Sequence, residues 1–241
     1  MIAAILLVAA LVGCVAAVTG FGIGSLLTPL LALETGTRLA VAAVAVPHFA
    51  GTLQRFVKLR RHVDRRVLVG FGITSALGGL TGALLHTRLS GGALAAVFGG
   101  LLILAGISEL TGWVQRVRWG RRAAWVAGAL SGALGGLVGN QGGIRAAAML
   151  GFEVTKESFV ATATAVGLIV DLARLPVYLA AEWRGIAALG PSLLIATAGV
   201  VIGTELGTRV LRRIPERTFR RLLALLLLAL GVYMGSTSFS R

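Results

Sequence analysis

Long apolar runs alternate with short polar connections along the whole chain. The runs cover 2–18, 23–33, 39–57, 67–85, 93–111, 123–138, 144–152, 159–181, 186–206 and 219–233. Segments of about twenty nearly uncharged residues are long enough to cross a hydrocarbon core as helices. The runs are rich in Ala, Leu and Gly and lack the strict alternation of barrel strands. The pattern therefore predicts an all-α polytopic membrane protein, and its short connections leave no room for a soluble domain.

Two of the runs are interrupted in the same way. TGFGIGSLLTP, Thr19 to Pro29, places glycines at 20, 22 and 24 and a proline inside apolar sequence; GLVGNQGGIRAAAML, Gly136 to Leu150, repeats the break. One offset of 119 residues carries Gly13 onto Gly132, Gly20 onto Gly139, Gly24 onto Gly143 and Arg55 onto Arg174. Further on, Thr87-Arg88 matches Thr208-Arg209 and Gly106 matches Gly231 after small insertions. The chain reads as two homologous halves, 1–112 and 123–241, joined by a basic linker at 113–122. Each half holds one Gly-broken helix followed by three transmembrane helices.

Charge placement selects between two topologies. Of 23 Lys and Arg, fifteen lie in three connections, 58–66, 116–122 and 209–221. If each broken helix crosses once, the halves are parallel and the basic residues outside the membrane split 11 to 9 between its sides. If each broken helix instead turns back at its glycines, the halves are inverted and the split becomes 16 to 4, leaving Arg38, Arg88, Arg184 and Arg241 opposite the rest. Orientation follows Lys and Arg bias in short loops, so the inverted repeat with re-entrant breaks is expected, its linker cytoplasmic. At 17 residues, the run 2–18 is long for a half-depth arm.

Composition sharpens this picture. The chain has 241 residues, 56% of them hydrophobic and only 13% charged, and carries a net charge of +14. That charge sits beside apolar spans, where it suits anionic lipid headgroups, and no basic groove or stacking module points to nucleic acid. The single cysteine, Cys14, excludes an internal disulfide and a Cys-based metal cluster. Leu11 to Cys14 resembles a lipoprotein cleavage box, but no Lys or Arg precedes it, so a retained membrane segment is expected. No HExxH, paired aspartates or P-loop is present. Neither an enzyme nor a cofactor or metal site is expected, and a homo-oligomer is compatible with the sequence.

The candidate chemistry gathers at the breaks. Gly20, Gly22 and Gly24, with Gly139, Gly142 and Gly143, either expose backbone N–H groups and helix N-termini to an anion or pack helices closely. Asn140 and Gln141 sit at the second break, and Arg145 follows it. That arginine either binds an oxyanion or reaches an interface and pairs with Glu153. Asp171 and Arg174 share one helix face, as a functional pair or as a neutralised structural lock. Arg55 is expected at the interface near the basic cluster, Glu205 is expected to pair with Arg209, and His48 is expected as a packed, hydrogen-bonded histidine rather than a proton carrier. His62 and His86 fall in or near loops and carry little signal.

VTGFGIGSLLTPLL and LVGNQGGIRAAAML, each opening one half of a small apolar protein, resemble the repeats of the TauE/SafE sulfite-exporter family. Gly20, Gly22, Gly24 and Pro29 match the first element, and Gly139, Gly142 and Gly143 the second; Ala148 stands where the second proline would fall. The resemblance implies a bacterial inner-membrane exporter of small anions, sulfite or organosulfonates, working by alternating access of its repeats. A passive anion channel and a non-transporting assembly subunit are the alternatives.

Overall fold

The computed structural model describes residues 2–113, 121–140, 142, 145, 149, 155–210 and 216–238. Nine helices are delimited among them: α1 (Ile2–Thr19), α2 (Ile23–Thr35), α3 (Thr37–Leu59), α4 (Arg65–His86), α5 (Gly91–Thr111), α6 (Arg121–Val138), α7 (Lys156–Ala188), α8 (Gly190–Val210) and α9 (Glu216–Thr237), with a 3-10 turn at Arg60–His62. Six helices are long and apolar enough to span a membrane, and α2 with the apolar part of α6 forms a shorter class. The protein is an all-α polytopic membrane protein. At 23 residues α3 is also long enough to cross, about 34 Å.

Local signals fix several helix ends. Asp64 caps α4 by accepting from the N–H groups of Arg66 (2.8 Å) and Val67 (3.1 Å). Ser90 and Thr155 cap α5 and α7 through Ala93 and Ser158. These side chains satisfy amide groups that a helix start otherwise leaves without partners. Gly112 ends α5 in a left-handed conformation at φ 66°.

The packing is symmetric under exchange of the halves. Helix α1 packs on α8, and α6, its counterpart at the offset of 119, packs on α4. Both contacts are parallel and made by small residues. Gly199, Gly203 and Gly207 meet Leu6–Ala10 and Cys14 in order along α1, and Gly78, Gly82, Gly132 and Gly136 bring the backbones of α4 and α6 together. In the absence of a hydrophobic drive between helices in lipid, such close backbone approach is a main source of association. The equivalent helices α3 and α7 pack antiparallel, with Leu39 against Gly185 and His48 against Asp171. Helices α5 and α9 also pack antiparallel, with Gly99 against Gly231 and Gly235, and Gly106 against Ala224 and Leu228.

The chain doubles back at the first break. Helix α1 runs parallel to α8, and α8 runs parallel to α3, because Gly51 meets Val200 and Thr204 while Gln54 bonds Glu205. Helix α2 opposes α3, since Gly36 alone joins them and Ile23 returns to Gly51. The direction therefore reverses between α1 and α2, over Gly20 to Gly22. Peripheral ion pairs also join the halves: Arg38 with Glu182 (3.0 Å), Lys58 with Glu205, and Arg220 with Glu109 (3.0 Å).

Candidate functional site where the two helix breaks meet

Both breaks use the same backbone device. Gly20 has φ 78° and Gly139 has φ 75°, a left-handed conformation that suits glycine. Each glycine N–H closes one last helical bond, Gly20 to the Ala16 carbonyl (3.0 Å) and Gly139 to the Gly135 carbonyl (2.9 Å). The breaks bury the ends of α1 and α6, where a carbonyl that already holds its helical bond can accept a second one from a side chain. An arginine supplies one at each. Arg55 Nη1 donates to the Ala16 carbonyl at 2.7 Å, and Arg174 Nη1 donates to the Gly135 carbonyl at 2.8 Å. Glycine, carbonyl and arginine all obey the offset of 119.

The expectation that Arg55 lies at the interface is thereby corrected. Arg55 is 8% exposed and faces the first break, because its position on α3 turns it inward one helical turn before Lys58. His86 is corrected too. It is fully buried and its Nδ1 bonds the Leu137 carbonyl at 2.8 Å, while the Tyr178 hydroxyl donates to the Gly136 carbonyl. Three successive carbonyls of α6 thus receive donors from α4 and α7. Neither Tyr178 nor His86 stood out in the sequence; the signal available was the need of a buried helix end for donors. Glu205 binds Lys58 and Gln54, and the Arg209 side chain lies outside the described residues.

The two breaks touch. A methyl group on Gly24 would run into the backbone of Gly139, and one on Gly142 would run into Phe21. Ser25 donates to Asn140 Oδ1 at 3.3 Å across the contact. The start of α2 is buried and its cap residue, Gly22 at φ 121°, offers no side-chain partner. Gln141 and Gly143 lie outside the described residues, as does Glu153.

A chain of polar contacts runs from one break to the other. Arg55 Nη2 donates to Thr52 Oγ1 (3.4 Å), which lies 3.5 Å from His48 Nδ1, and His48 Nδ1 lies 2.7 Å from Asp171 Oδ2. Asp171 Oδ1 accepts from Arg174 Nε (3.0 Å) and Nη2 (2.7 Å). The carboxylate is completely buried, and its two oxygens are divided between the halves, His48 from the first and Arg174 from the second. Thr52 occupies in the first half the position that Asp171 occupies in the second. The offset preserves the scaffold, but among the described residues the buried carboxylate, Asp171, stands on one side.

Arg145 stands apart from this chain. It is 5% exposed, and its Nη1 has no hydrogen-bond partner. It packs where Gly167 leaves room: a methyl group there would lie 2.8 Å from Nη1. Gly167 is the repeat counterpart of His48, so the guanidinium fills the space that a second histidine would take. Among the described residues the buried charged groups are Arg55, Arg145, Arg174 and Asp171. Three cations therefore face one anion in a low-dielectric interior, and Arg145 lies within electrostatic reach of the other three groups.

Fold and site together define a multi-pass helical membrane protein with a buried, cation-rich centre where the two helix breaks meet. The chain belongs to the Sulfite exporter TauE/SafE family, whose model matches residues 5–234. Membership makes it a member of a family of membrane transporters of sulfur-containing anions. Neither a curated protein nor a solved structure matches the chain significantly.

Proposed function

We propose that the protein exports sulfite or an organosulfonate across the bacterial inner membrane, binding the anion where the two helix breaks meet. The observation that carries this reading is Arg145, a buried guanidinium with an unpartnered Nη1 in a cluster of three cations and one carboxylate. An isolated buried charge is expensive, and a bound oxyanion offers the matching charge together with acceptors for its N–H groups. The uncapped start of α2 adds N–H groups and a positive helix end at the same junction. Arg55 and Arg174 hold the ends of α1 and α6, so their role is to shape the site, while Arg145 is its counter-ion.

The halves are inverted in the membrane, and one rocks against the other to expose the site to each side in turn. Support comes from the opposed directions of α3 and α7 and of α5 and α9, since parallel halves require equivalent helices to run alike. An inside-negative potential supplies about 2.3 kcal/mol per 100 mV for each negative charge leaving the cell. The test is saturable sulfite flux from proteoliposomes, with competition by a sulfonate. Non-saturating flux without competition makes the protein a channel, and absence of flux for both anions removes the reading.

A further inference from the structure

The pair formed by His48 and Asp171 has chemistry that anion binding alone does not use. We propose that His48 takes up a proton when the anion binds, so that the site loads an anion and a proton together. The proposal rests on the anion site described above and adds its coupling ion.

Asp171 is held by two N–H groups of Arg174 on Oδ1, which keeps it ionised, so the 2.7 Å contact at Oδ2 is donated by His48 Nδ1–H. That assignment leaves Nε2 with a free lone pair. The Asp171 side chain is completely buried, whereas the His48 side chain retains 11% exposure. His48 is thus the part of the pair that solvent or a substrate proton can reach. A proton added at Nε2 converts the neutral ring to an imidazolium. Nδ1–H stays on Asp171, no bond is broken, and the site gains one positive charge.

The groups around the ring set the sign of the linkage. From α7 come Asp171 and Arg174, and α3 itself contributes Thr52 and Arg55. Helix α2 presents the backbone of Gly24, 3.9 Å from the ring edge if a methyl is placed there. Asp171 stabilises the imidazolium, while Arg55 and Arg174 oppose it. An anion bound among the arginines screens that opposition, so anion and proton each favour the other's binding. Reciprocity follows from thermodynamic linkage. The pair also bridges α3 of one half and α7 of the other, so loading alters the attraction across the moving boundary.

Two consequences separate this from bare anion transport. A monovalent anion accompanied by one proton moves no net charge, and the membrane potential then gives it no drive. A dianion with one proton still leaves as a single negative charge and is still expelled.

Calorimetry of the purified full-length protein tests the idea with methanesulfonate, an anion that stays ionised throughout, in buffers of different ionisation enthalpy at about pH 6, 7 and 8. The expected result is an uptake of up to about one proton per anion bound, with affinity rising as pH falls. In His48→Gln, which keeps a hydrogen-bonding side chain on Asp171, uptake is expected to vanish and the pH dependence to flatten while binding persists. Wild-type binding heat with no buffer dependence overturns the coupling and leaves the anion site intact, and the wild-type measurement decides this even if the variant does not fold. Undiminished uptake in folded His48→Gln equally overturns the assignment to His48. No binding at any pH removes the anion site and this proposal with it.

Discussion

The three buried arginines look alike in sequence and should behave differently when removed. Arg174 neutralises Asp171 and holds the Gly135 carbonyl. Arg174→Ala leaves a buried carboxylate short of its main partner, a change that costs about 3–5 kcal/mol. Thermal unfolding in detergent should show that loss as a marked fall in midpoint. Arg55 touches only neutral acceptors, Ala16 and Thr52, so Arg55→Ala is expected to cost less, about 1–3 kcal/mol. Arg145 is the opposite case. Its Nη1 has no hydrogen-bond partner and two of the three buried charges near it are cations, so Arg145→Ala should leave the unfolding midpoint unchanged or higher. Loss of a charge-assisted contact should nonetheless weaken anion affinity by about ten- to a hundredfold. A midpoint that drops in Arg145→Ala as far as in Arg174→Ala would make Arg145 a structural residue.

At the scale of the element, the breaks depend on glycine for two separable reasons. Gly20 adopts φ 78° with open space around it, so Gly20→Ala adds backbone strain alone, about 1–2 kcal/mol. Gly24 is ordinary helix, yet a methyl group there meets the carbonyl of Gly139. Gly24→Ala must push the breaks apart and is expected to abolish flux while the protein still inserts. Gly20→Asn, which tolerates the left-handed region, should retain flux. If Gly24→Ala transports normally, contact between the breaks is not needed for function.

What the sequence revealed at this scale follows from the physics of repetition. A duplicated helix break keeps its glycines at a constant spacing because few other residues tolerate the backbone there, so Gly20 and Gly139 were readable directly. The i, i+3 spacing of Asp171 and Arg174 likewise places them on one face of any helix. Contacts between elements were not readable. Proximity to Lys58 suggested an interface for Arg55, whereas its direction depends on how α3 packs on α1. His86 ends α4 and looked like a loop residue, but the parallel contact of α4 with α6 buries it against Leu137. Arg145 was legible as a candidate, and the unpartnered state of its Nη1 was not, since that depends on the space left by Gly167.

At the scale of the whole molecule, topology is the claim with the widest consequences. Antiparallel packing of α3 with α7 and of α5 with α9 fits inverted halves, and the split of basic residues points the same way. If the halves are inverted, the first break opens from the outer side and the second from the inner side, so Asp171 and Arg145 both belong to the inward-opening half. Such a molecule is symmetric in backbone and asymmetric in charge. On the proposed reading, one half carries the anion's counter-ion, Arg145, and the other the proton acceptor, His48. Thr35, beside the α2–α3 turn, and Thr155, the cap of α7, report on the two sides. Cysteines placed there singly, with the buried Cys14 replaced by alanine, should react with an impermeant maleimide from opposite faces of sealed vesicles. Labelling of both from one face would require parallel halves, return the basic residues to a nearly even split, and remove the rocking of inverted repeats as the mechanism.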